Sequence, residues 1–169
     1  MVLAMRERVF DLADESATRA LAGRVATALD GGGVFYLHGE LGAGKSSFAR
    51  ALLQTLGVGG RIKSPTYSLV ENYPLAQGQA WHLDLYRIAD PDELQWLGVE
   101  ALGEPDAVVL IEWPQRGRGA IPTPDVEVEL AYEGAGRRAR LRAASARGEA
   151  LIDRLESTAG SAQSAASQC

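Results

Sequence analysis

The chain has 169 residues, 46% hydrophobic and 23% charged, enough for one domain with a substantial core. A net charge of −5 argues against gripping nucleic acid through general electrostatics, and a single cysteine, Cys169, excludes a disulfide framework and a cysteine metal site. No apolar run approaches the roughly 18 residues of a membrane span and no signal peptide is evident, so a soluble, cytoplasmic protein that makes no membrane contact is expected.

Taken in chain order, Arg8 to Leu12 reads as an edge strand. Asp14 or Ser16 can cap a helix that carries Leu21, Val25 and Leu29 at four-residue spacing, and Gly31-Gly32-Gly33 ends it. Val34-Phe35-Tyr36-Leu37-His38 is a short apolar stretch rich in aromatic and β-branched residues, which predicts a buried strand. Directly after it, Gly39-Glu40-Leu41-Gly42-Ala43-Gly44-Lys45-Ser46 fits the phosphate-binding pattern G-x-x-x-x-G-K-[ST] in full. Phe48, Ala49, Leu52, Leu53 and Leu56 then recur at helical spacing, so a helix opens at Lys45. Strand, loop and helix are in the register that this chemistry needs. Glycines let successive backbone N–H groups turn toward phosphate oxygens, and the helix N-terminus adds partial positive charge. Lys45 can reach the β- and γ-phosphates, and the Ser46 hydroxyl can ligate Mg²⁺. Glu40, Leu41, Gly42, Ala43, Gly44, Lys45, Ser46 and Ser47 form the expected nucleotide cradle.

Gly57 to Gly60 breaks the chain. Tyr67 to Tyr73 and Ala80 to Tyr86 read as strands, and a connection this short makes them an antiparallel hairpin. Asp90-Pro91-Asp92-Glu93 starts a helix that Gly98 ends. Ala107 to Trp113 is a continuous apolar run, expected as a central strand. Val126 to Tyr132 and Arg137 to Ala143 form a second hairpin, and a short amphipathic helix follows over Gly148 to Leu155. The expected fold is α/β, a three-layer arrangement like that of P-loop NTPases, with a mixed sheet in which antiparallel hairpins flank central parallel strands. Residues 1–156 make one P-loop ATPase domain in this reading. Residues 157–169, rich in Ser, Ala and Gln, have nothing to bury and form a disordered tail.

A triphosphate site needs a second magnesium ligand and a group that places the nucleophile. Glu112 ends the apolar strand, the position of a Walker B acid, although a solvent-facing carboxylate would give the same pattern. Strand alternation sets His82, Asp84 and Tyr86 on one face, which either a site or simple exposure explains. Ser64-Pro65-Thr66 offers hydroxyls on a restrained turn, suited to a switch loop or an ordinary turn. Trp113 lines the pocket or merely packs. Arg116, Arg118, Arg137, Arg138 and Arg140 are all candidates for a charge-stabilising finger, and His38 and His82 have no metal-site spacing. The only lysines are Lys45 and Lys63, so no N-K-x-D or T-K-x-D motif exists and ATP is favoured over GTP.

Together, G-E-L-G-A-G-K-S (39–46), S-P-T-Y-S (64–68), H-L-D-L-Y-R (82–87), D-E-L-x-x-L-G (92–98) and I-E-W-P (111–114) closely resemble the TsaE family, also called YjeE, over roughly residues 8 to 155. Ser46 stands where threonine is commoner in that pattern, and Glu40 where aspartate also occurs; both keep the chemistry. The resemblance implies a weak, Mg²⁺-dependent ATPase. It would support the TsaB–TsaD heterodimer in forming N6-threonylcarbamoyladenosine beside the anticodon of tRNAs that read codons beginning with A, meeting tRNA only through the complex. It also implies site roles: Lys45 on the phosphates, Ser46 and Glu112 at the magnesium, Asp84 as an essential acid near the γ-phosphate, Thr66 in a switch-like loop, and Trp113 close to the nucleotide. Two rival readings remain open, a small-molecule kinase and a nucleotide-dependent switch with negligible hydrolysis.

Overall fold

The structure, a computed structural model, describes residues 6–155. In chain order it contains β1 (Glu7–Leu12), α1 (Glu15–Ala28), β2 (Gly33–His38), α2 (Lys45–Thr55), β3 (Val70–Pro74) and β4 (Gln79–Asp84). Then come β5 (Val108–Glu112), β6 (Val126–Glu133), β7 (Gly136–Ala143) and a closing helix, α3, over residues 146–155. The expected tail at 157–169 lies outside the described residues.

All seven strands join one sheet in the order β1-β7-β6-β2-β5-β4-β3. β2 pairs in parallel with both β5 and β6, and β4 runs parallel to β5. Antiparallel partners close both sides, β7 and β1 on one and β3 on the other. This is the expected mixed sheet. All five residues of β5 are buried, as a continuous apolar run at the centre of a sheet requires. β2 alternates instead: Phe35 and Leu37 are fully buried while Val34, Tyr36 and His38 are half-buried.

Two cores result, one per sheet face. Phe35, Leu37, Val108, Leu110, Val128 and Leu130 pack with Phe48, Leu52 and Leu53 of α2, Leu21 and Val25 of α1, and Leu151 and Ile152 of α3. Fully burying a side chain such as Phe35 contributes about 2–3 kcal/mol. On the opposite face Leu83, Leu85, Val109 and Ile111 meet Leu94 and Leu102. This second layer is built from 3-10 turns, Pro91–Leu97, Val99–Gly103 and Pro114–Gly117, rather than from α-helices.

Local chemistry sets the element ends. Asp14 caps α1, its carboxylate accepting the Ala17 N–H at 2.9 Å. Asp90 caps the first 3-10 turn through the Asp92 N–H, with Pro91 at its start. The first hairpin is shorter than its sequence suggests. Leu69 N–H donates to the Pro65 carbonyl at 2.9 Å, and Leu69 has a φ of 68°, so residues 65–69 turn and the strand begins at Val70 instead of Tyr67. β4 stops at Asp84, whose carboxylate captures the Tyr86 N–H at 3.1 Å and starts a turn.

Candidate functional site

β2, β5 and β4 end together on one rim of the sheet: Leu37 pairs with Glu112, and Asp84 pairs with Glu112. Ligands of open α/β sheets bind at this carboxyl edge. The glycine-rich loop leaves β2 there and enters α2, whose first bond runs from the Phe48 N–H to the Gly44 carbonyl at 2.9 Å. Gly42 and Gly44 have φ of 81° and 110°, in the left-handed region that side chains avoid. A Cβ on Gly42 would also lie 2.6 Å from the Tyr132 hydroxyl. The β6–β7 hairpin grips the loop from outside. Tyr132 donates its hydroxyl proton to the Leu41 carbonyl at 3.0 Å, and Arg137 donates to the Gly42 carbonyl at 3.3 Å. The Arg137 guanidinium stacks 4.0 Å from the centre of the Tyr132 ring.

Lys45 is 5% exposed; its ammonium donates to the carbonyls of Gly39 and Glu40 and lies 4.5 Å over the Trp113 ring. Burial lowers its pKa, opposed by the nearby Glu112 and Asp84 carboxylates. Ser46 donates its hydroxyl to Glu112, 3.1 and 3.2 Å from the two carboxylate oxygens. His82 Nε2 lies 2.7 Å from Glu112 Oε2, with both side chains buried. Asp84 is also buried. Its pKa is raised, first by desolvation and then by Glu112, against the Tyr86 N–H that stabilises the ionised form.

Trp113 follows Glu112 with a φ of 57°. Its neighbour Pro114 disfavours right-handed helical backbone, and the left-handed turn sets the indole across Lys45 and 5.1 Å from the Tyr86 ring. The resulting cleft, about 370 Å³, is lined by Leu41, Gly42, Gly44, Lys45, Ser46, Ser47, Thr66, Asp84, Glu112 and Trp113. The structure thus brings together residues from all the anticipated motifs but one, D-E-L-x-x-L-G. Two members of the expected cradle stay outside it: Ala43 is buried, its N–H donating to the Glu40 carbonyl at 3.1 Å, and Glu40 contributes that carbonyl rather than a cleft wall. A larger hollow of about 800 Å³ lies by Trp96 and Arg118 and touches none of these residues.

Sequence reasoning left Tyr86 open between a site and simple exposure and missed Arg87 as a cleft wall, though both lie in the motif that supplied Asp84. Among the candidate finger arginines, Arg138 and Arg140 pair with acids of β1 and β6, and Arg118 lines the distant hollow. Arg116 stacks 5.5 Å from Tyr86 at the cleft side, and Arg137 holds the loop from behind.

A hydroxyl and a carboxylate are hard oxygen donors of the kind Mg²⁺ accepts. Among the described residues no group of three or more His, Cys, Asp or Glu could hold a metal ion by itself. Ser46 and Glu112 supply two such donors in hydrogen-bond contact, which fits two ligands of a magnesium ion.

The family model for Threonylcarbamoyl adenosine biosynthesis protein TsaE matches residues 12–140. A tRNA threonylcarbamoyladenosine biosynthesis protein TsaE from Haemophilus influenzae is 43% identical over 117 residues, which is 69% of this chain and 74% of that protein. Its counterpart from Aquifex aeolicus is 34% identical over 119 residues, 69% of this chain and 84% of that one. A crystal structure of Bacillus subtilis YdiB superposes with a TM-score of 0.76 over 93% of this chain and 99% of its own, at 22% identity, and so shares the fold.

Proposed function

The chain belongs to the TsaE family of threonylcarbamoyl adenosine biosynthesis proteins, and on that footing we propose that it is a weak Mg²⁺-dependent ATPase supporting a TsaB–TsaD complex in tRNA modification. One observation carries the reading: the Ser46 hydroxyl rests on the Glu112 carboxylate, beside Lys45, at the mouth of a glycine-rich loop. That is the donor set a nucleoside triphosphate and its metal require. No described helix is long and apolar enough to cross a membrane, and the proposed place of work is the cytoplasm.

Each residue has a task in this reading. The loop amides cradle the phosphates, and Lys45 exchanges its bonds to the Gly39 and Glu40 carbonyls for the β- and γ-phosphate oxygens. Ser46 and Glu112 would hold Mg²⁺, which would supply charge neutralisation at the phosphate oxygens. Asp84, its pKa raised by burial, is matched to take a proton from the attacking water, because a more basic carboxylate is the better general base. Trp113 shields Lys45 from solvent, Arg87 stands at the cleft to meet developing charge, and Thr66 supplies a hydroxyl from the turn that would respond to the γ-phosphate.

The test is ATP turnover by the purified chain, alone and with TsaB–TsaD, with Lys45→Ala as control. A low basal rate, raised by the partners and lost in the variant, is expected. Phosphate transfer to a metabolite, or turnover indifferent to the partners, would overturn the reading.

A further inference from the structure

We propose that His82 is a positioning residue that orients the Glu112 carboxylate for the magnesium, an inference that rests on the Mg²⁺–ATP reading of the site. His82 and Glu112 sit two residues apart in register on neighbouring parallel strands, since His82 pairs with Leu110. Their side chains project from the same face and meet at 2.7 Å, His82 being 2% exposed. With Nε2 as the donor, the contact is a hydrogen bond that holds the Glu112 carboxylate. The other ring nitrogen, Nδ1, is one of the two buried side-chain polar atoms without a partner among the described residues.

What His82 supplies is a second hold on the carboxylate. Ser46 alone leaves Glu112 free to rotate toward Lys45, to which it is electrostatically coupled. With the Nε2–H on Oε2, the carboxylate stays against the Ser46 hydroxyl with which it would share a metal ion. Partners of this outer kind fix ligand orientation, and their loss typically weakens metal affinity or activity 10–100-fold.

Three variants separate this from a packing role. The amide of His82→Gln reaches about as far as Nε2, His82→Asn falls short, and His82→Leu removes the donor. The first readout is thermal protection by ATP, in EDTA and across a Mg²⁺ titration; the second is kcat and the Mg²⁺ requirement of hydrolysis. His82→Leu and His82→Asn are expected to need on the order of tenfold more Mg²⁺ for half-maximal protection. Protection by ATP in EDTA should stay at the wild-type level, hydrolysis at saturating Mg²⁺ should largely recover, and His82→Gln should follow the wild type. Should His82→Leu not fold, the Asn and Gln pair carries the comparison. A wild-type Mg²⁺ requirement in the Leu or Asn variant overturns the proposal, as does a Gln variant no better than Asn. Wild-type protein that gains nothing from Mg²⁺ defeats the underlying ATPase reading itself, and the proposal with it.

Discussion

Asp84 and Lys45 occupy the same buried rim, and one cause moves their pKa values in opposite directions. Burial disfavours the charged form of each, raising Asp84 and lowering Lys45. A carboxyl with a raised folded-state pKa binds protons more tightly folded than unfolded. Its contribution to stability therefore falls as pH rises from about the usual 3.8 through the raised value. Asp84→Asn is expected to melt at or above the wild-type temperature at neutral pH and to flatten the acid part of the stability profile. The same variant should hydrolyse ATP at least 10²-fold more slowly, the usual scale for losing a general base. Full activity would remove Asp84 from the mechanism. Lys45→Ala should abolish turnover and, because the ammonium is replaced by a small apolar group, leave the fold intact by circular dichroism. At this scale the sequence named the candidate groups but not their burial. Alternation along β4 put His82 and Asp84 on one face without saying whether that face met solvent or α2.

The glycine-rich loop is held in shape by two devices. Positive φ at Gly42 and Gly44 is intrinsic to the motif, whereas the grip of Tyr132 and Arg137 on the Leu41 and Gly42 carbonyls comes from a hairpin some 90 residues away. Gly42→Ala meets both obstacles: left-handed backbone costs a non-glycine residue about 1–2 kcal/mol, and the new Cβ collides with the Tyr132 hydroxyl. It should lower the melting temperature modestly and eliminate ATP protection; retained ATP binding in calorimetry would contradict this account. Tyr132→Phe keeps the ring under Arg137 but deletes the bond to Leu41. Its expected effect is a several-fold rise in KM for ATP with little change in kcat, read from steady-state hydrolysis. The 3-10 turns over the second face show the opposite limit of legibility. Pro91, Asp90 and Gly98 mark where the first begins and ends, but a run this short carries too few apolar positions to distinguish 3-10 from α winding.

For the molecule as a whole, charge and topology speak to partners. With a net charge of −5, the purified chain should not retain tRNA at about 0.15 M salt in filter binding; micromolar binding by the chain alone would sink the view that it meets RNA only through a complex. Phe35, fully buried in the central strand, tests the larger core: Phe35→Ala should cost about 3–5 kcal/mol in denaturant unfolding. Most of this architecture was open to inference, because periodicity and punctuation are local. The strand before the loop, the helix opening at Lys45, the buried run ending at Glu112 and both hairpins are stretches whose apolar spacing and glycines locate them, though not where the first hairpin begins. The expectation of phosphate chemistry rested on the G-x-x-x-x-G-K-S motif alone, since its glycines, lysine and hydroxyl have meaning at that spacing without any long-range contact. Beyond the two hairpins, tertiary structure alone decided which strands became neighbours. Only the order β6-β2-β5-β4 puts Ser46, Glu112 and His82 within hydrogen-bond reach, sets Trp113 over Lys45, and brings Tyr132 and Arg137 behind the loop. Such contacts depend on pairings between segments far apart in the chain, and a pattern read along one segment holds no record of the other.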